Sequence, residues 1–316
     1  MRYLFLLSLT LILSYAGVSS VNIMPSFHQK KIMGIKILDQ KKLVYSKLQG
    51  VKFAELSDVT YDATTQTLYF VSDKGLLFSF NAHFSDKIDM LIPVRAAKLK
   101  SKKGKRLKKW KRDSEGMTLD GKNRLLISFE GKAKIAWFHK NSDAYGKMIR
   151  KYRVPKELRE TKHYRSKNKS LESLAWHPKY GVLTAAEWPI KKYHKKRQTI
   201  YSIYGKKWHF KAEPEAKSGV VAIEVMDDGN VLVMERSYTG IFNPFVVTLK
   251  KVYLDRCRHG TCESKVIIKM NNHEGWNLDN FEGLARVGKH KYVMISDDNK
   301  NFFQDTLLVY FEVIDE

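Results

Sequence analysis

The chain has 316 residues, with 57 Lys and Arg against 33 Asp and Glu, for a net charge of +24. That length leaves room for a large core and excludes a minimal disulfide-framed domain. The charge says little about fold; it favours anionic company such as phosphates, acidic glycans, lipopolysaccharide or a membrane surface.

In chain order, Arg2 precedes an apolar run from Leu4 to Leu13, followed by the small residues Ala16, Gly17, Ser19 and Ser20. A charged start, an apolar stretch and a small-residue zone predict a secretory signal over 1–20. The alternative, a membrane anchor, has too short an apolar core for the ~20 residues a span needs. Residues 21–32 then read as a flexible mature N-terminus and 33–316 as one domain. The expected address is periplasmic or secreted, which makes nucleic acid the weakest of the partner classes.

From residue 50 onward one sentence recurs: an acid, a short strand, a tight turn, a second strand, more acids. It runs Ser57-Asp58-Val59 to Val71-Ser72-Asp73, Glu115-Gly116-Met117 to Ser128-Phe129-Glu130, and Glu172-Ser173-Leu174 to Ala185-Ala186-Glu187. It returns as Ala222-Ile223-Glu224 to Val233-Met234-Glu235, and Glu282-Gly283-Leu284 to Ile295-Ser296-Asp297. Repeats of ~50–60 residues with several strands each predict an all-β chain, a β-propeller of four-stranded blades. Five blades are favoured, with a sixth, irregular one left open. In the first repeat the strands fall near 56–62, 67–73, 76–80 and 87–92; in the fourth, near 219–226, 230–235, 244–255 and 264–270. The last repeat has only three, near 281–287, 291–297 and 306–313. An N-terminal strand near 33–38 is expected to supply its fourth and close the ring, hiding the open edge.

The turns differ between the two ends of the strands. Asp120-Gly121, Asp228-Gly229 and Gly288-Lys289-His290 are short, of the hairpin type. The opposite connections, 93–112, 155–169, 188–198, 236–243, 271–280 and 298–305, are long and polar, so function is expected on their face.

The repeated acids should meet on that face. An inner strand starts beside the end of its antiparallel neighbour, which pairs Glu115 with Glu130, Glu172 with Glu187 and Glu282 with Asp297. So many carboxylates raise one another's pKa unless a cation joins them, and Ca²⁺ suits a flexible oxygen ring better than Mg²⁺. The expected metal ligands are Asp73, Glu130, Glu187, Glu235, Asp297, Asp298 and Asn299, with Glu115, Glu172 and Glu282 as catalytic acids or bases. The alternative is structural: the acids bind backbone N–H groups of neighbouring blades or pair with Lys74, Arg236 and similar cations.

Three basic stretches form a second constellation: Lys98 to Arg112, Lys162 to Lys169, and Lys191 to Arg197. Lys102, Lys103, Lys105, Arg106, Lys195, Lys196 and Arg197 are the candidate anion binders; a basic loop touching lipid head groups is the plainer alternative. Cys257 and Cys262 flank a His259-Gly260 turn, so a disulfide is expected if the chain is exported. No nucleophile elbow, P-loop or zinc-helix motif is present.

Asp113-Ser114-Glu115-Gly116, Leu171-Glu172-Ser173-Leu174, and Asn280-Phe281-Glu282-Gly283-Leu284 with Ser296-Asp297-Asp298-Asn299 resemble the phytase-like family, named for an esterase-like activity of phytase. Ser57-Asp58-Val59 through Asp73-Lys74-Gly75 looks like its opening motif, and the likeness covers about 50–315. The resemblance implies an exported bacterial propeller that hydrolyses phosphate or other esters with metal assistance. Ala222 and Ser57, where acids are expected, depart from a full acidic ring. The expectation is therefore a calcium-assisted hydrolase of anionic esters; the alternative is a non-catalytic propeller binding an envelope polyanion or a partner protein. A monomer is expected, with no membrane span after signal cleavage and peripheral membrane contact left open.

Overall fold

A computed structural model of the chain describes residues 17–26, 31–131, 133–166, 169–240, 244–299 and 304–314. Among the described residues six antiparallel sheets form: four four-stranded meanders, a six-stranded sheet, and a two-stranded hairpin of Lys47–Leu48 with Val51–Lys52. Blade one holds Leu56–Asp62, Thr67–Ser72, Leu76–Phe84 and Ile88–Lys98. Blade two holds Ser114–Leu119, Leu125–Phe129, Lys134–Phe138 and Met148–Tyr152; blade three holds Leu171–His177, Gly181–Ala186, Arg197–Ser202 and Lys207–Lys211. Blade four is Gly219–Val225, Val231–Ser237, Val246–Arg258 and Thr261–Asn271. The first strand of each blade touches the first strand of the next, and the fifth returns to the first, so the ring is closed and five-bladed. Among the described residues there are no α-helices, only four short 3₁₀ turns.

Blade five is assembled from both ends of the chain. Asn280–Gly288, Lys291–Asp297 and Leu307–Val313 are joined by Ile35–Leu43, with Leu307 opposite Lys42 and Val313 opposite Ile35. The N-terminal strand thus closes the ring as expected and is longer than 33–38, because Leu307–Val313 offers a full edge of unpaired backbone.

Outside it, Val18–Ser20 adds a further strand, Val18 opposite Leu43. Residues 1–16 of the expected leader lie outside the described residues. In the stretch expected to be flexible, Ile23 and Met24 are buried in the core. Their backbone is engaged too: the Ile23 carbonyl accepts from Asn277 N–H at 2.9 Å, and its N–H donates to Gln40 Oε1 at 2.8 Å. Two apolar side chains beside a sheet edge bury more readily than they hang in water.

The core lies between blades rather than at the axis. Five apolar clusters each fill one blade–blade interface, for example Phe129, Phe138, Leu77 and Tyr69 between blades one and two. Second strands such as Leu125–Phe129 and Val231–Ser237 are buried on both faces, which is why they carry near-continuous apolar runs rather than alternation. Cys257 and Cys262 face each other across the blade-four hairpin and form the expected disulfide.

Candidate functional site

Every inner strand carries an irregularity at the same level. The register slips between Leu56 and Asp58, Ser114 and Met117, Leu171 and Ser173, Val220 and Ala222, and Phe281 and Gly283. A bulge leaves one residue unpaired and re-aims its side chain. The unpaired positions are Ser57, Glu115 (with Gly116), Glu172, Val221 and Glu282, so the fourth repeat aligns at Val221, not Ala222. The residue after each is Asp58, Gly116, Ser173, Ala222 or Gly283, mostly small.

Close approach explains the glycines: a Cβ on Gly116 would lie 2.5 Å from the Ser173 carbonyl carbon, and one on Gly283 2.7 Å from Asp58 Cα. The recurrent Glu-Gly is therefore a bulge acid followed by a residue that lets the next blade's backbone pass. Asp58 fills the equivalent place in blade one with hydrogen bonds, accepting from the N–H groups of Met117 at 2.6 Å, Val59 at 2.8 Å and Leu284 at 3.2 Å. It ties the inner strands of blades one, two and five.

One residue past the partner of the residue that precedes each bulge stand Asp73, Glu130, Glu187, Arg236 and Asp297, the last two still paired, with Gly219 and Asn280. In blade four Glu235 is itself paired with Val220, one residue out of step with the other acids. Its side chain points away from the ring, where it meets Lys250 at 2.9 Å, Ser218 Oγ at 2.9 Å and Glu213 N–H at 2.8 Å. The expected metal role of Glu235 therefore falls: alternation along a strand sends neighbours to opposite faces. Arg236 takes the ring position instead.

The rest of the ring divides by whether the protein supplies a cation. Lys74 pairs with Asp73 and with Glu55 at 2.8 Å. Lys169 meets Glu187 at 2.6 Å. Arg236 donates to Glu282 and Asn280 and lies 4.0 Å from Glu187. The structural alternative thus accounts for Asp73, Glu187 and Glu282, although Asp73 Oδ1 stays buried without a hydrogen bond. Asp298 accepts from the Glu55 N–H at 3.0 Å, and the Asn299 side chain turns to Gln304 at 3.0 Å, so Asn299 does not join the ring. Asp297 accepts from Asn299 N–H at 2.8 Å and keeps company with Glu282.

What remains is a cluster in blades two and three. Oxygens of Asp113, Glu115 and Glu130 lie within 4.8 Å of one another. Glu130 accepts from the Ser170 N–H at 3.0 Å, and no ion pair joins the three among the described residues. Glu172 lies alongside, with Oε2 sealed from solvent and without a hydrogen-bond partner. Burial, then the charges of Glu130, Glu282 and Asp113, push the Glu115 carboxyl well above its usual range. Burial and the neighbouring Glu187 do the same to Glu172, and burial lifts Glu130 to about 7 and Asp297 to about 8. Two oxygens bound to one Ca²⁺ at about 2.4 Å can be at most about 4.8 Å apart, so no pair among the three carboxylates is too far apart to share a hard cation. Asp113 was not foreseen as a ligand; its place one residue before the paired Ser114, at the loop end, is the signal that marks it.

The basic stretches frame this face but do not act together. The 99–113 loop crosses it, its Trp110 and Arg112 packed over Gly131 and Gly75. Lys102 and Lys103 line a hollow of about 410 Å³ with Trp110, Lys134 and Lys151, at the rim of blade two rather than over the acids. Lys105 and Arg106 are exposed in the same loop. Lys195 and Lys196 line a cleft beside Glu187, whereas Arg197 turns to the Gly260 carbonyl at 2.7 Å.

A closed ring of five four-stranded blades with a carboxylate cluster at its loop-side mouth defines the class, a β-propeller with a candidate metal centre. The chain belongs to the phytase-like family, described by its esterase-like activity of phytase, which matches residues 51–300. Among solved structures, it is similar to a catalytically inactive virginiamycin B lyase from Staphylococcus aureus with quinupristin, at 11% identity and TM-score 0.40, over 94% of this chain and 99% of that one. A luciferin-regenerating enzyme aligns at 11% identity and TM-score 0.43, over 82% and 92%. The PQQ-bound aldose sugar dehydrogenase from Streptomyces coelicolor aligns at 10% and 0.41, over 86% and 84%. No curated protein matches the chain.

Proposed function

We propose that the chain is a metal-assisted hydrolase of phosphate or other anionic esters, acting at the mouth of the propeller channel. The observation that carries this is the group Asp113, Glu115 and Glu130, three buried or half-buried carboxylates that make no ion pair among the described residues, in a chain of net charge +24. Mutual repulsion in a buried cluster is costly unless it is protonated or joined by a cation. An all-oxygen donor set suits Ca²⁺. A bound cation would polarise the ester oxygen and offset the charge that develops there.

The chain's own residues supply the rest. Glu172, with its buried unpartnered oxygen beside Glu115 and Glu130, is placed to take or return a proton. Glu282 is held by Arg236 and Asn280 and orients the ring rather than reacting. Lys195 and Lys196 on the same face draw an anionic substrate inward. The disulfide supports an oxidising compartment and so the exported address; no helix among the described residues is long and apolar enough to cross a membrane.

The test is paired. A wild-type melt in excess Ca²⁺ should exceed that in EDTA, since saturation a hundredfold over Kd adds about 2.7 kcal/mol. Glu115→Gln should abolish both that shift and turnover of aryl phosphates while melting near the wild type in EDTA. A second reading, a non-catalytic propeller, rests on the fact that Lys74, Lys169 and Arg236 already neutralise part of the ring. No shift with any divalent ion and no turnover would favour it.

A further inference from the structure

Beside the acid ring, three loops wall a cleft of about 620 Å³ between blades three and four. They are the loop entering blade three, the loop after its second strand, and the loop entering blade four. That volume lies in the ordinary range of small-molecule sites.

Its charge is unbalanced. Arg165, Lys191, Lys195, Lys196 and Lys217 line it, against Glu213 and Glu215. The two acids are already matched from outside the cleft: Lys250 meets Glu213 at 2.5 Å, and Lys269 meets Glu213 at 2.9 Å and Glu215 at 2.6 Å. Lys195, Lys196 and Lys217 make no ion pair among the described residues. Arg165 is fixed by backbone rather than by a carboxylate, Nε donating to the Pro189 carbonyl at 2.9 Å and another nitrogen to that of Tyr193. It braces two walls of the cleft and keeps its charge uncompensated.

The lining is also apolar. Trp188, Pro189, Ala212 and Pro214 give it hydrophobic surface. Two polar atoms there are buried without partners, Trp188 Nε1 and Glu215 Oε2. One is a donor suited to an anion's oxygen, the other an acceptor suited to a hydroxyl.

We propose that this cleft binds an amphiphilic anion: a phosphate-class head held by Lys195, Lys196, Lys217 and Arg165, with an apolar body lying on Trp188 and Pro214. Inorganic phosphate would use only half of such a site. The cleft borders the ring through Glu187, whose carbonyl accepts the Val220 N–H at 2.9 Å and whose side chain abuts Gly219. A ligand seated there lies next to the acid cluster, yet its binding does not depend on catalysis. The same head chemistry is found on a lipid and on a soluble ester.

Calorimetric titration with 1-naphthyl phosphate in EDTA tests the site apart from the cation. We expect affinity about tenfold above that for inorganic phosphate, a loss of about tenfold or more in Lys195→Glu/Lys196→Glu, and wild-type affinity in Glu115→Gln. Both exchanged lysines are exposed, and circular dichroism confirms that the fold is kept. Equal affinity for the two phosphates, or unchanged affinity in the lysine variant, overturns the proposal. Sedimentation with phosphatidylglycerol vesicles then separates the sources. Co-sedimentation lost in the lysine variant and displaced by 1-naphthyl phosphate assigns a lipid head group; binding of the soluble ester without co-sedimentation assigns a free one. Failure of the Ca²⁺-dependent melt would sink the hydrolase reading and leave this site standing.

Discussion

Arg236 is the single side chain on which the ring's charge balance turns. It is largely buried, donates to Glu282 and Asn280, and approaches Glu187. Its place was hidden in sequence because Glu235 precedes it and carries the expected charge; only the pairing of Glu235 with Val220 shows which of the two faces the channel. Arg236→Met should destabilise the protein by about 3–5 kcal/mol in EDTA, the usual cost of leaving a buried charge unpaired, as read by denaturant titration. Glu282→Gln in the same background should recover part of that loss, and failure to recover any would show that Arg236 acts through packing alone. Gly116→Ala makes a separate case. Its Cβ would press on the Ser173–Leu174 backbone, so a cost of about 1–3 kcal/mol is expected.

At the scale of elements, most of the propeller is legible in the sequence. Four strands per repeat, the short Asp-Gly turns and the missing last strand follow from hydrophobic runs and turn residues, which are local signals. The bulge was not legible: it sits where the strand pattern is continuous, and register depends on the partner strand. One misaligned residue in the fourth repeat moved the reading from Val221 to Ala222 and from Arg236 to Glu235. The N-terminal segment escaped for a related reason. Ile23 and Met24 show no periodicity, and only the apolar surface of blades four and five gives them a place. Removing residues 1–43 should expose Leu307–Val313 along its whole length. The product is expected to elute as aggregate on size exclusion, whereas removing residues 1–16 should leave a monodisperse protein.

For the molecule as a whole, the buried carboxylates tie stability to pH. Glu130 and Asp297 titrate near 7 and 8 in the folded chain, chiefly because they are buried, and near 4 when unfolded. Between those limits the folded state holds protons that the unfolded state has released, so stability falls as pH rises. In EDTA the melting temperature should therefore drop by several degrees between pH 5.5 and 8. Excess Ca²⁺ should flatten that fall, since a ring joined by a cation has no protons left to lose. A melting temperature that rises over this interval in EDTA would show that the buried acids are charged and otherwise compensated. The cleft remained unreadable in sequence because it is composed of three separate loops, two of them merely basic by themselves and the third carrying Glu213, Glu215 and Lys217.

The blade built from both termini sets the order in which the protein can be made. Lys42 must wait for Leu307, and 307 − 42 = 265 residues of chain separate the two. Contacts of that separation are slow to form because a long loop must be closed first. Blades one to four can fold in turn, but Ile35–Leu43 stays without its partner until Leu307–Val313 is available. The ring therefore snaps shut only once Leu307–Val313 is in place, and a protein cut just before Leu307 has four complete blades and an open wound at each end.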